Sequence, residues 1–251
     1  MVDAHCHLDL IGGDVAQVLA AAAAVGVPRV VTIGIDVASS RHAADLASAY
    51  DGVAAAVAIH PNEAGTADDA ALAEIARLAA LPQVRAVGET GLDFYRDSAD
   101  PADQQRSFRA HIAIAKETGK ALVIHDRDAH DAVLAALDEE GAPDRTVFHC
   151  FSGDAAMARV CADKGYVMSF AGNVTFKNAQ PLRDAAAVAP LDLILVETDA
   201  PFLTPMPHRG KANAPYLIPL TVRALAEVKG VDETELASAI AATSERVFGP
   251  W

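Results

Sequence analysis

Near the start of the chain, the run DAHCHLD sets His5 and His7 on either side of Cys6. The spacing carries chemistry if the segment is a strand. Side chains then alternate, so both imidazoles face one way and can chelate one ion, while Cys6 packs to the other side as a small hydrophobe. Further along, apolar runs lead into AIHPNE, VGETGLDFYR, VIHDR, VFHCFSG and ETDAPFLTP, which bring in His60, Glu89, His125, His149 and Asp199. Imidazoles and carboxylates without a thiolate suit Zn2+, Mn2+, Fe2+ or Mg2+ at a hydrolytic centre, not a closed cysteine-rich zinc site.

The elements that must position these residues are legible as short β-rich runs at 2–5, 29–35, 53–59, 84–89, 121–125, 146–150, 166–170 and 193–197. Helical segments separate them at 15–25, 41–49, 68–81, 101–118, 128–140, 154–164 and 180–188, and two more follow at 219–228 and 233–247. Strict alternation of apolar strands with helices predicts a parallel sheet buried on both faces. Eight such repeats in 251 residues predict an α/β fold, a (β/α)8 TIM barrel forming a single domain over 1–251. No GxGxxG or GxxxxGK[ST] follows a strand, so the nucleotide-binding readings of an open sheet lose their support. Reactive groups of a barrel belong at the C-terminal ends of its strands, and His5, His7, Glu89, His125, His149 and Asp199 all fall there.

Other histidines read differently. His42, His111 and His130 lie in helical stretches and are expected to be surface or core residues. His60 precedes Pro61 and is either a further ligand or substrate contact, or a support for its own loop. Glu197, one layer deeper than Asp199, is either a partner to a ligating histidine or half of a structural ion pair.

Composition narrows the function. A net charge of −14 counts against a protein that coats or tracks along duplexes. It leaves nucleic acid open as a substrate, because divalent ions supply local positive charge. The widely spaced Cys6, Cys150 and Cys161 form no CxxC, which predicts reduced thiols and a cytoplasmic location. No apolar run approaches the ~20 residues of a membrane span, and the N-terminus lacks the pattern of a secretory leader.

Taken together, DAHCHLD, AIHPNE, VGETGLDFYR, VIHDRDA, FHCFSG, GNVTFKN, ETDAPFLTP and RGKANAPYLIP resemble, in order and across essentially the whole chain, the TatD family of metal-dependent deoxyribonucleases. These are amidohydrolase-like metallohydrolases on a TIM barrel. The resemblance implies two divalent ions (Mg2+, Mn2+ or Zn2+), one held by His5, His7 and Asp199, the other by His125 and His149, with Glu89 bridging. Phosphotriesterases use a modified lysine on the fourth strand, where this chain has Glu89. That subgroup is disfavoured.

Such a centre hydrolyses phosphodiesters with Asp199 as candidate general base and Glu89 fixing the ions. Arg96, Arg127, Lys177, Arg209 and Lys211, all on loops after strands, are candidates to grip phosphate, with His60 as a further substrate contact. Tyr95, Phe202 and Tyr216 are candidates to stack on unpaired bases, whereas Phe94 and Phe151 are expected to pack beneath their loops. The expected substrate is a single-stranded or frayed DNA end, with no membrane and no obligate protein partner. A same-fold hydrolase of an ester or amide, such as a D-aminoacyl-tRNA deacylase, would use the same ligands. A non-catalytic metal- or nucleic-acid-binding barrel is disfavoured by the complete ligand set.

Overall fold

The structure, a computed structural model, describes residues 1–251. Its strands are β1 (Val2–Cys6), β2 (Arg29–Ile33), β3 (Val53–Val57), β4 (Val84–Asp93), β5 (Ala121–Arg127), β6 (Thr146–Phe148), β7 (Val167–Phe170) and β8 (Ile194–Val196). The helices are α1 (Val15–Ala24), α2 (Val37–Ala49), α3 (Asp69–Ala79), α4 (Pro101–Thr118), α5 (His130–Glu140), α6 (Ala155–Asp163), α7 (Gln180–Val188), α8 (Ile218–Lys229) and α9 (Glu233–Phe248). One eight-stranded sheet carries β1 to β8 in chain order. Cys6 at the end of β1 bridges in parallel to Ala200 just past β8, so the first and last strands are neighbours. This is the α/β architecture expected, a (β/α)8 barrel.

Local chemistry explains the elements. The strands are rich in Val, Ile and Ala, and β1 and β3 are buried at every position, as strands covered on both faces must be. Aspartates start most helices: Asp14, Asp36, Asp68, Asp100, Asp154 and Asp232 each accept a backbone N–H of the first turn. Asp36 and Ser39 complete a reciprocal capping box at α2. No helix is long and apolar enough to cross a membrane.

The chain divides into two compact units, Met1–Val31 with Cys150–Trp251, and Thr32–His149. In the first, the apolar core gathers residues such as Leu8, Phe151, Phe170, Ile240 and Phe248. In the second, it gathers Ile33, Ile59, Ile75, Leu92, Phe108 and Leu122. There β4 pairs in parallel with β3 and β5, and β5 with β6. The β4–β5 pairing runs past the apolar residues, through Gly91 opposite His125 and Asp93 opposite Arg127. It does so because Gly91, at φ 145°, brings the strands so close that a Cβ would stand 2.0 Å from the His125 carbonyl oxygen. Both strands therefore extend beyond the 84–89 and 121–125 expected from the sequence.

His111, on α4, is a core residue, as its helical setting suggested. It is fully buried; its Nδ1–H donates to the Ser107 carbonyl (2.7 Å) and its Nε2 accepts from Ile59 N–H (3.0 Å). Both bonds suit the neutral ring, and burial pulls its pKa down from 6.5 to about 4. As pH falls from 6.5 towards 4, the unfolded chain takes up a proton that the folded state refuses, so stability is lost over that window. The loss expected from this histidine is about 3 kcal/mol, at 1.36 kcal/mol per pH unit. Urea unfolding of wild type and His111→Gln at pH 7 and pH 4.5 measures it. The variant should lose markedly less stability on acidification, and identical losses would refute the assignment.

Candidate metal centre

In the first unit, β1 and β8 end side by side. His7 N–H donates to the Ala200 carbonyl (2.8 Å) and Asp199 N–H to the His5 carbonyl (2.9 Å). This lacing brings His5, His7 and Asp199 together, with ligand atoms all within 4.8 Å of one another. The imidazoles meet edge to face, their centroids 5.3 Å apart. Asp199 Oδ1 lies 3.8 Å from His5 Nε2 and 3.6 Å from His7 Nε2, too far for hydrogen bonds. Ligand atoms ~2.1 Å from one shared ion stand about 3.0–3.5 Å apart, so the spacing suits a cation between them. Asp199 takes φ 54°, a left-handed backbone that aspartate tolerates better than most residues.

Asp3, which the sequence reading left without a role, lies beneath this group on the same face of β1. It is fully buried and accepts from Thr198 N–H (2.9 Å), Thr198 Oγ1 (2.5 Å) and His5 N–H (3.3 Å). Burial raises its pKa to about 7, against the pull of those Thr198 bonds. Asp3 thus braces the backbone on either side of the His5–Asp199 contact. Glu197, also fully buried, accepts the N–H of Cys150, the residue that follows His149 (2.8 Å).

In the second unit a single oxygen organises the group. Glu89 Oε1 lies 2.7 Å from His125 Nδ1, 2.8 Å from His149 Nε2 and 3.3 Å from His60 Nε2. Burial pushes the Glu89 carboxyl up, but the imidazoles of His149, His60 and His125 together hold it well below the usual carboxylate range. His125 is gripped from both sides, because its Nε2 lies 3.2 Å from Asp93 Oδ2. Burial pulls the His125 pKa down, yet Asp93 and Glu89 raise it overall. Asp93 is buried; its Oδ1 accepts from Tyr95 N–H (3.0 Å) and Arg96 N–H (2.9 Å). Desolvation raises its pKa, but the His125 bond and these amides bring it to about 2.

Asp93 escaped the sequence reading. The signal was present: Glu89, Gly91 and Asp93 alternate along one strand, but the apolar run had already ended. His60 joins Glu89 and His125 in a set able to hold metal. Its Nδ1, however, accepts from Asn62 N–H (3.0 Å), which places the ring hydrogen on Nε2. In this tautomer Nε2 donates and does not ligate, so the substrate-contact reading of His60 fits better than that of a further ligand.

The loop residues divide. Arg127 lies over the Tyr95 ring, 3.9 Å from its centroid, and Arg209 over Phe176, 4.1 Å from its centroid. Arg96, Lys177 and Lys211 are exposed. Tyr95, Phe202 and Tyr216 are exposed too, and Phe151 is buried as expected. Phe94 departs from expectation: it is 44% exposed, because Phe94 N–H continues the strand pairing to the Arg127 carbonyl and leaves the ring on the rim.

Comparison with known proteins agrees with this geometry. The family model described as TatD related DNase matches residues 2–249. A Mycobacterium tuberculosis protein named as an uncharacterized metal-dependent hydrolase TatD is 48% identical, with 99% of this chain and 98% of the relative covered. The 3'-5' ssDNA/RNA exonuclease TatD of Cronobacter sakazakii is 33% identical over 92% of this chain and 90% of its own. Among solved structures, the TatD homologue YjjV of Escherichia coli superposes with a TM-score of 0.94 at 28% identity, covering 100% of this chain and 98% of its own. The chain belongs to the TatD-related DNase family of metal-dependent hydrolases.

Proposed function

We propose that the protein is a divalent-metal-dependent phosphodiesterase that trims single-stranded or frayed DNA ends, acting in the cytoplasm as a single catalytic domain. The observation that carries the reading is the donor chemistry: imidazoles converging on the ionised Glu89, and the trio of His5, His7 and Asp199. In this reading His5, His7 and Asp199 hold one ion, His125 and His149 the other, and Glu89 is shared. Bound Mg2+, Mn2+ or Zn2+ would neutralise phosphoryl charge and lower the pKa of a water. The exonuclease name of the Cronobacter relative supports the choice of substrate.

The chain's own residues then divide the work. Asp199 takes the proton from the water whose oxygen attacks phosphorus, and the leaving nucleoside oxygen, released as its bond to phosphorus breaks, takes a proton from solvent. Were Glu89 engaged by an ion, the His60 Nε2–H that faces it would be available to donate to a phosphoryl oxygen. Arg96 and Arg127 steady the phosphate, with Arg127 held by its stack on Tyr95. Asp93 holds the His125 ring through Nε2, leaving Nδ1 directed at the Glu89 side.

Two outcomes are expected. With an end-labelled single-stranded DNA oligonucleotide and Mg2+, Mn2+ or Zn2+, wild type should trim the strand stepwise, and EDTA should abolish the ladder. Asp199→Asn and Glu89→Gln should lose at least about a hundredfold in kcat. DNA left intact by metal-loaded protein would sink the nuclease reading and move the search to ester substrates. Separately, Asp93→Asn should weaken metal binding by about 10- to 100-fold, read by calorimetric titration of metal-stripped protein. Unchanged affinity would remove Asp93 from its positioning role.

A further inference from the structure

We propose that the loops following β7 and β8 form one preassembled wall that seats the sugar–phosphate backbone of single-stranded nucleic acid beside the His5–His7–Asp199 group. The proposal rests on the nuclease reading and adds where the strand lies beyond the cleaved bond.

Charge is the first argument. Residues 171–183 and 200–216 contain not one Asp or Glu, in a chain with 34 of them and a net charge of −14. The same stretches supply Lys177, Arg183, Arg209 and Lys211. Elsewhere, five surface arginines are neutralised: Arg41, Arg77, Arg106, Arg109 and Arg223 each pair with a carboxylate. Lys177, Arg209 and Lys211 pair with none. Arg183 is spent internally, donating to the carbonyls of Val174 (3.0 Å) and Phe176 (2.7 Å) and so fixing the β7 loop. Arg209 is laid on the Phe176 ring, which orients it without cancelling its charge.

Rigidity is the second. Met206 N–H donates to Thr175 Oγ1 (2.8 Å), tying one loop to the other. Gly172 lies so close to the second loop that a Cβ there would stand 2.2 Å from the Leu203 carbonyl oxygen. Thr204 Oγ1 donates to the Lys211 carbonyl (2.6 Å), closing the turn that displays Arg209. Little chain entropy remains to be lost when a ligand binds.

Continuity with the metal group is the third. Phe202 N–H donates to the Asp199 carbonyl (2.8 Å), and Asn213 Nδ2 donates to the carbonyls of Thr198 (2.9 Å) and Phe202. The Phe202 ring, 54% exposed, stands edge-on to His7 with centroids 6.1 Å apart. An exposed ring beside the metal ligands, followed by unpaired cations, matches an unpaired base with phosphates beyond it. A duplex would hide the base face that the ring needs, and an acidic peptide would leave the ring without a planar partner.

The test is binding without turnover. Fluorescein-labelled dT2 and dT10 are titrated in EDTA by anisotropy, over 50–200 mM salt, with wild type, Arg209→Gln/Lys211→Gln, Lys177→Gln and Arg223→Gln. Thermal melts check that each is folded. Wild type should gain affinity from dT2 to dT10. The double variant should lose at least about tenfold on dT10, with a salt slope shallower by about 1.4 for two lost phosphates. Lys177→Gln should show a smaller loss in the same direction, and Arg223→Gln none. Equal dT10 affinity in wild type and double variant overturns the proposal, as does competition by polyglutamate as strong as by unlabelled dT10. Loop-dependent binding by a protein that cleaves no DNA would support the wall and overturn only the nuclease reading. Cleavage with loop-independent binding would do the reverse.

Discussion

The burial of Glu89 is the constraint on which the second unit's cluster of His60, His125, His149 and Asp93 depends. A carboxylate taken from water loses several kcal/mol of solvation and is tolerated only when charge or hydrogen bonds replace it. Here the replacement is three imidazoles on one oxygen, from the ends of β3, β5 and β6. Each imidazole then needs its own counterpart. His60 takes the Asn62 amide, and His125 takes Asp93, which in turn is satisfied by the amides of Tyr95 and Arg96. The chain of compensation ends in the rim loop that carries Tyr95 and Arg96. A buried charge thereby fixes residues that would otherwise be free to move.

Two buried acids show how surroundings assign roles to the same functional group. Glu89, among imidazoles, stays ionised and suits ion binding. Asp3, among backbone amides and a threonine hydroxyl and near Glu197, is pushed up to about 7 by burial. Asp3 serves the backbone: it holds Thr198 and His5 in place so that Asp199, in its left-handed conformation, aims at both histidines.

Much of this was legible in the sequence because strand ends announce themselves when an apolar run meets a polar residue. Helices 101–118 and 180–188 were read to the residue, helped by Asp100–Pro101 with Gly119 at one and by Pro181 at the other. What stayed hidden depended on partners distant in sequence. The extension of β4 to Asp93 comes from pairing with β5 at a glycine, and no local propensity marks it. Conversely, β6 stops at Phe148, short of the expected 150, because Cys150 turns to φ 41° and gives its N–H to Glu197. The tautomer of His60 is set by one amide two residues away, which no spacing rule reveals.

The distribution of charge completes the logic. An acidic chain repels a polyanion over most of its surface, and pairing Arg41, Arg106, Arg109 and Arg223 with carboxylates removes isolated positive spots from the helices. Attraction is left where acids are excluded, on the loops that open from Asp199. The Phe176 ring holds Arg209 there without neutralising it, since a ring face orients a guanidinium while leaving its charge available. Two arginine settings thus differ in what they leave for a ligand: Arg41, Arg106, Arg109 and Arg223 on helices are matched with carboxylates, whereas Arg209 on its loop is matched with a ring and keeps its charge.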